Sequence, residues 1–493
     1  MKVVVIGDIG WHDLYHLGDE AMTEAAVDML RRRGIADVTL VAGEPEAAER
    51  FYGLPAVPRL GFRASWSRER NDAHLAAITS SFDSSDLVDQ TAVAAIRESD
   101  AVIIAGGGNM NSRDYHLLYE RLASTRIAHA CGKPVYVSSQ TVGPMLTPED
   151  LARVVEIADT ARAFGCRESV TAALLRKHVA HPERIHHTSD DAILLDADDA
   201  ARASAAELVG DRPFVIASFT DHHGTIWPHR KAYYRDLAKL CTTLADAHDV
   251  DVLLAPHAGS LDPTLRSRDQ IGNEAIAEIA GSARVRSTRM ITAREDVALI
   301  DTAALSLSTR YHPVVFASAL AAPAVAIAPS YYSLMRMRGA LGNVGLQAFV
   351  LPKSTFDLVP AAAQEAMEKT PELVAHRSQS ADVARGLQGR WWDALAQSMQ
   401  TDTDVSFDES PHAPTYTPKG EWARISETIL PVFDEYARSA DRRRELHEKD
   451  KASRAEIERL RAELESTRGQ LERYRSRKVI RVLDGLKTPR QPR

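Results

Sequence analysis

At residues 308–313 the sequence reads STRYHP, with Arg310 and His312 two positions apart and Pro313 directly after them. Proline suits the first turn of a helix, because its φ is already near the helical value and its missing N–H has no bond to lose there. Arg310, Tyr311 and His312 are therefore expected at a helix entrance, where free N–H groups and the positive end of the helix dipole attract an anion. Taken alone, the segment fits a plainer account equally well: a capping histidine, and an arginine paired with a surface carboxylate. Three further segments carry related chemistry. AGGGNM, at 105–110, follows an apolar run. Gly106, Gly107 and Gly108 would let backbone N–H groups close on a ligand as an anion-binding nest, with Asn109 beside them. A close-packing turn uses three glycines just as well. GCRES, at 165–169, sets Arg167 before a helical pattern. There its planar fork can grip a carboxylate or phosphate, or simply pair with Glu168. HLGDEAM, at 16–22, opens a helix with Asp19 and Glu20. Their charges suit the helix end and would repel an anion, so with His16 they fit sugar hydroxyls better.

A fifth segment, DHHGTIWPH at 221–229, is rich in His and Trp. Adjacent His222 and His223 cannot easily face one metal, and no regular ligand spacing follows, so no metal site is expected. The segment reads as a loop over a cleft, with Trp227 as a sugar-stacking ring.

Short β-branched runs alternate with amphipathic segments of helical length, the pattern of parallel sheets covered by helices. KVVVIG, VTLVAG, AVIIAGGG and PVYVSSQ belong to a first set. The pattern weakens over 196–213 and restarts with FVIASF, VDVLLAPH, AALSLST and AVAIAP. The fold class is α/β: two Rossmann-like domains, 1–205 and 206–375, facing a cleft, where ligands bind at the carboxyl ends of the strands. GDIGWHD has the wrong glycine spacing for a dinucleotide fingerprint, so no nicotinamide cofactor is expected. A helical packing segment at 376–437 holds Trp391, Trp392 and Trp422 as anchors. Residues 438–476 are highly charged. Ile457, Leu460, Leu464, Thr467, Leu471 and Tyr474 recur at alternating spacings of three and four, a coiled coil of about three heptads or a solvated single helix. Through this segment the chain is expected to form a homodimer. The basic tail, 477–493, can place Val479, Val482, Leu483 and Leu486 on one helical face flanked by Arg475, Arg477, Lys478, Arg481 and Lys487, suited to an anionic membrane surface.

The chain has 493 residues, too many for a single core. Its 44% hydrophobic and 26% charged content is that of a globular protein, and its net charge of −8 argues against a nucleic-acid partner. Three cysteines without metal or disulfide spacing fit a reducing cytoplasm, with contact at the inner face of the membrane through the tail. The opening MKVVVIGD is too short for a signal peptide and reads as a buried strand.

In order along the chain, G-D-E-A, G-G-G, QTVGP (140–144), R-E-S, SDDA (189–192) and R-x-H followed by PAVAI resemble the polysaccharide pyruvyl transferase family over about residues 1–350. The resemblance implies a GT-B-like fold and transfer of pyruvate from phosphoenolpyruvate to two hydroxyls of a glycan, forming a ketal. The glycan acceptor could be lipid-linked. The family's donor-site R-L-H falls on Arg310, Tyr311 and His312, and its R-[DE] arginine on Arg167. His16 stands where asparagine is usual, Asp191 where D-P-A has proline, and YYSLMR (331–336) lacks the lysine of Y-x-x-K, leaving Arg336 or Arg338 to supply that charge. The chemistry needs a proton at the donor's methylene carbon, and His312 is the candidate acid. Attack by one hydroxyl, loss of phosphate and closure by the second hydroxyl would follow, with the arginines rather than a cofactor carrying the charge. Two other readings share this architecture: a GT-B glycosyltransferase using a nucleotide-sugar, and a non-enzymatic scaffold of glycan assembly.

Overall fold

The computed structural model describes residues 1–11, 13–80, 90–144, 146–220, 227–266 and 268–486. His222, His223 and Lys487 lie outside the described residues.

Val3, Val4, Val5 and Ile6 are wholly buried, as are Ala101, Val102, Ile103 and Ile104. Apolar runs without alternation belong to strands covered on both faces, which is the condition of a parallel sheet. They lie side by side in the first sheet. Its order is Ala56–Pro58, Asp37–Ala42, Lys2–Ile6, Ala101–Ile104, Val135–Val142, Ala163–Cys166, Ile185–His187, and Gly107–Met110 also pairs with Val135–Val142. The second sheet runs Val285–Ser287, Asp251–Leu254, Phe214–Ser218, Leu305–Ser308, Ala324–Ala328, Val350–Pro352, and its pairs are likewise parallel. In the chain, the helix Asp199–Ala206 comes between the strands of the two sheets. Cys166 and Cys241 are buried, and Cys131 is half-buried.

Several connections bind the lobes, among them a short strand pair and a returning helix. Tyr15–His16 of the first pairs antiparallel with Ala258–Gly259 of the second, and the Leu17 N–H donates to the His257 carbonyl at 3.0 Å. The helix Pro371–Thr401 follows the second sheet and packs back on the first lobe. Trp391 and Trp392 are fully buried there. The Trp391 indole N–H donates to the Ser138 hydroxyl at 3.0 Å, and the Trp392 N–H to Asp191 Oδ1 at 2.7 Å. Asp191 Oδ1 also accepts from Gln388 Nε2 at 2.6 Å and the Ser138 hydroxyl at 2.9 Å. This explains an aspartate where D-P-A has proline: it seats the returning helix. Trp422, 4% exposed, donates to Glu365 at 2.7 Å.

Contacts divide the chain into two compact units, one through Asp434 and one from Glu435. The last helix, Glu421–Leu486, contains Pro431. Among the described residues no helix is long and apolar enough to cross a membrane.

Candidate active site

The helix His312–Ala319 begins at the carboxyl end of Leu305–Ser308, with Pro313 in its first turn. Its entrance meets the start of the first lobe's helix Leu17–Arg32. A Cβ on Gly18 would come within 1.7 Å of His312 Nδ1, so only glycine lets the imidazole lie there. Arg167, 1% exposed, approaches from the end of Ala163–Cys166. Its Nη1 donates to Asp190 Oδ2 and its Nε to Thr141 Oγ1, both at 2.7 Å. The Tyr311 ring lies 4.3 Å from the Arg167 guanidinium and 5.1 Å from that of Arg336. The Tyr332 ring lies 3.8 Å from Arg336, and its hydroxyl donates to the Gly108 carbonyl at 2.7 Å. Aromatic faces thus hold two guanidinium groups close together despite their repulsion. Arg310 pairs with Asp269, which also accepts the His257 N–H at 3.2 Å.

Among the nitrogen atoms of this cluster that are shielded from solvent and make no hydrogen bond to any described residue are Arg167 Nη2, Arg310 Nε, Arg336 Nε and His312 Nε2. His312 Nε2 is 3.9 Å from Asp190 Oδ2, beyond bonding reach. Burial, then the charges of Arg167, Arg336, His257 and Arg310, push the His312 pKa well below the usual histidine value. A buried donor without a partner is costly, and the three arginine donors gathered near a helix entrance suit a small anion. The sequence had not singled out Asp190, His257, Asp269 or Tyr332 as members of this cluster. Their signal was weak: SDDA and APH each follow a strand, and Asp269 sits in an unremarkable helix.

A family model for polysaccharide pyruvyl transferase matches residues 16–331, well over half of the chain. The chain belongs to the polysaccharide pyruvyl transferase family. No curated protein matches it. Among solved structures it is similar to a Listeria monocytogenes protein described as a UDP-N-acetylglucosamine 2-epimerase: 13% identity, TM-score 0.54, covering 85% of this chain and 99% of that one. The UDP-GlcNAc 2-epimerase of Neisseria meningitidis bound to UDP-GlcNAc gives 13% identity and TM-score 0.52, covering 82% of this chain and 100% of that one. At that identity the likeness establishes the two-domain GT-B fold alone. The family segment ends at Tyr331, so Arg336 lies just beyond it.

Several sequence expectations need correction within this family fold. The glycines of AGGGNM form no nest. None of Gly106, Gly107 or Gly108 has positive φ, and Gly107–Met110 is a strand, in which successive N–H groups point apart. The glycines serve close approach instead. A Cβ on Gly106 would lie 2.6 Å from Met22 Sδ, and one on Gly108 2.3 Å from the Tyr332 hydroxyl and 3.2 Å from Arg167 and Arg336. Asn109 is buried, and its Oδ1 makes no hydrogen bond to any described residue. Trp227 is no sugar platform. It is 3% exposed, packed edge-on against Tyr233 and Phe356, and donates to Asp236 at 2.9 Å. Glu20 is 4% exposed and is held by the Gly10 N–H at 3.0 Å and by the Tyr52 hydroxyl, so it is closed to a ligand. His16 and Asp19 stay partly open, 3.5 Å apart.

Burial raises Glu20 and its neighbour Glu24 to about 7. A carboxyl whose pKa is higher folded than unfolded contributes stability below its unfolded value of 4.5 and loses it as pH rises through about 7. Glu20→Gln removes this term. Compared with the wild type it should gain relative stability between pH 5 and 8, by up to roughly 3 kcal/mol, in urea unfolding followed across that range. A constant difference between the two proteins would show that Glu20 does not titrate there.

Proposed function

We propose that the protein transfers pyruvate from phosphoenolpyruvate to two hydroxyls of a sugar in a cell-surface or extracellular polysaccharide, forming a cyclic ketal. The observation that carries this reading is the set of unpartnered donors of Arg167, Arg310 and Arg336 around a neutral, buried His312. Phosphoenolpyruvate is small and bears both a carboxylate and a phosphate, so it can satisfy several such donors at once. Arg336 takes the role that the lysine of Y-x-x-K would fill. The bound donor's negative charge favours protonation of His312, which delivers the proton to the methylene carbon. Carbon 2 then carries positive character. One sugar hydroxyl attacks it and returns its proton to His312, the C–O bond to phosphate breaks, and the second hydroxyl closes the ketal, its proton leaving on the released phosphate. His16 and Asp19, at the rim, suit the acceptor's hydroxyls. A lipid-linked acceptor would give the basic tail a use at the inner face of the membrane.

The test is thermal stabilisation by phosphoenolpyruvate beside UDP- and GDP-sugars. Phosphoenolpyruvate should raise the melting temperature, and the shift should fall sharply in Arg336→Ala. Incubation with phosphoenolpyruvate and a panel of nitrophenyl or lipid-linked glycosides should then release phosphate and add a pyruvate ketal, read by mass spectrometry. Stabilisation by nucleotide-sugars alone would favour a glycosyltransferase. No response to either, with full function after cleft mutation, would favour a scaffold.

A further inference from the structure

Along the last helix, Ile457, Leu460, Leu464, Leu471 and Tyr474 are each about half exposed or more, from 49% to 64%. Thr467 fills the remaining step, so the spacings run three, four, three, four, three. A helix turns 3.6 residues per turn, and this rhythm keeps all six on one side, a stripe roughly 26 Å long. An apolar stripe on an otherwise charged helix is costly to leave in water. In heptad terms Ile457, Leu464 and Leu471 are the a positions, and Leu460, Thr467 and Tyr474 the d positions.

The flanks decide what covers it. Glu456, Glu463 and Gln470 occupy the g positions; Arg461, Arg468 and Arg475 occupy the e positions. In a parallel, in-register pair each g residue faces the e residue five positions on in the other chain. Glu456 then meets the partner's Arg461, and Glu463 the partner's Arg468, twice over by symmetry. An antiparallel pair sets g against g and e against e, glutamate on glutamate and arginine on arginine. Within one helix Arg459 already pairs with Glu456 at 2.7 Å and Glu463 at 3.2 Å. Those pairs are exposed and contribute little, so they compete weakly with the interchain ones.

We infer that this stripe is the seam of a parallel, in-register coiled coil formed with a second copy of the same chain. The charge pattern is self-complementary in that arrangement and self-repelling in the reverse one. The basic residues that follow the seam are then delivered in pairs at one end of the dimer.

Sedimentation of the full chain at micromolar concentrations should show a dimer. Leu460→Glu/Leu464→Glu should be monomeric at the same concentration, with unchanged melting of the catalytic lobes. Thr467→Cys places a thiol against its own counterpart only in the parallel register. It should form a covalent dimer on mild oxidation, whereas Ala462→Cys, on the outer side, and the wild type should not. Glu456→Arg/Glu463→Arg should be monomeric alone and pair when mixed with Arg461→Glu/Arg468→Glu. A wild-type monomer at every concentration overturns the inference. So does a dimer that survives Leu460→Glu/Leu464→Glu, or one that Thr467→Cys fails to cross-link.

Discussion

His312→Ala should leave phosphoenolpyruvate bound while turnover falls by about two to four orders of magnitude, the usual consequence of losing a general acid. Burial, then Arg167, Arg336, His257 and Arg310, depress the His312 pKa, so the imidazole is neutral near pH 7. A neutral histidine is no acid. On the proposed function, the donor's carboxylate and phosphate would cancel the arginine charges, which are among the reasons for neutrality, and His312 would then gain a proton. Binding that lifts a depressed pKa would make the complex take up protons. Calorimetric titration in buffers of different ionisation enthalpy should register an uptake approaching one proton in the wild type. His312→Gln should bind the donor without it. Near-normal turnover in His312→Ala would reduce the histidine to a helix-entrance residue. Donor binding with no proton exchange in the wild type would break the link between anion and acid.

The parts of this site that were legible in the sequence are those set by local chemistry. Proline after R-Y-H announces a helix start, and Arg167 before an amphipathic pattern announces another. The strands were legible because runs such as VVVI and AVII have no alternation, which places them between two covering layers. What stayed hidden depends on partners distant in the chain. Glu20 looks like a capping carboxylate until Tyr52 and the Gly10 N–H close on it. Trp227 sits in a polar, histidine-rich segment, yet its ring is claimed by Tyr233, Phe356 and Asp236. Three glycines are compatible with either a nest or a strand, and the pairing with Val135–Val142 selects the strand. Asp191 gave no hint that it seats Trp392 and Gln388, two hundred positions away in rough terms. Arg336 was found only because a lysine was missing; its neighbours Tyr311 and Tyr332 show why a guanidinium suits the place, since planar cations stack on rings better than ammonium does.

Arg167→Met should have the largest combined effect on folding and binding, and the two can be separated. The guanidinium is 1% exposed and neutralises Asp190, 3% exposed, beside Glu168, which is fully buried. Removing it leaves buried carboxylates without a counter-charge, a loss of about 3–5 kcal/mol in comparable pairs. That alone does not speak to function. Arg167→Met/Asp190→Asn removes the abandoned charge together with the arginine, so much of the lost stability should return in urea unfolding. Donor affinity should not return. Arg167 Nη2 makes no hydrogen bond to any described residue and would be the group offered to the ligand, and a charge-assisted hydrogen bond there corresponds to about 1.5–3 kcal/mol, or ten- to a hundredfold in affinity. Arg167→Lys should recover part of the stability and little of the binding, because an ammonium cannot reach Asp190, Thr141 and a ligand with one planar fork. Calorimetric binding of phosphoenolpyruvate to the double variant is the deciding measurement. A folded double variant that binds the donor like the wild type would make Arg167 a buried structural ion and move the anion site to Arg310 and Arg336.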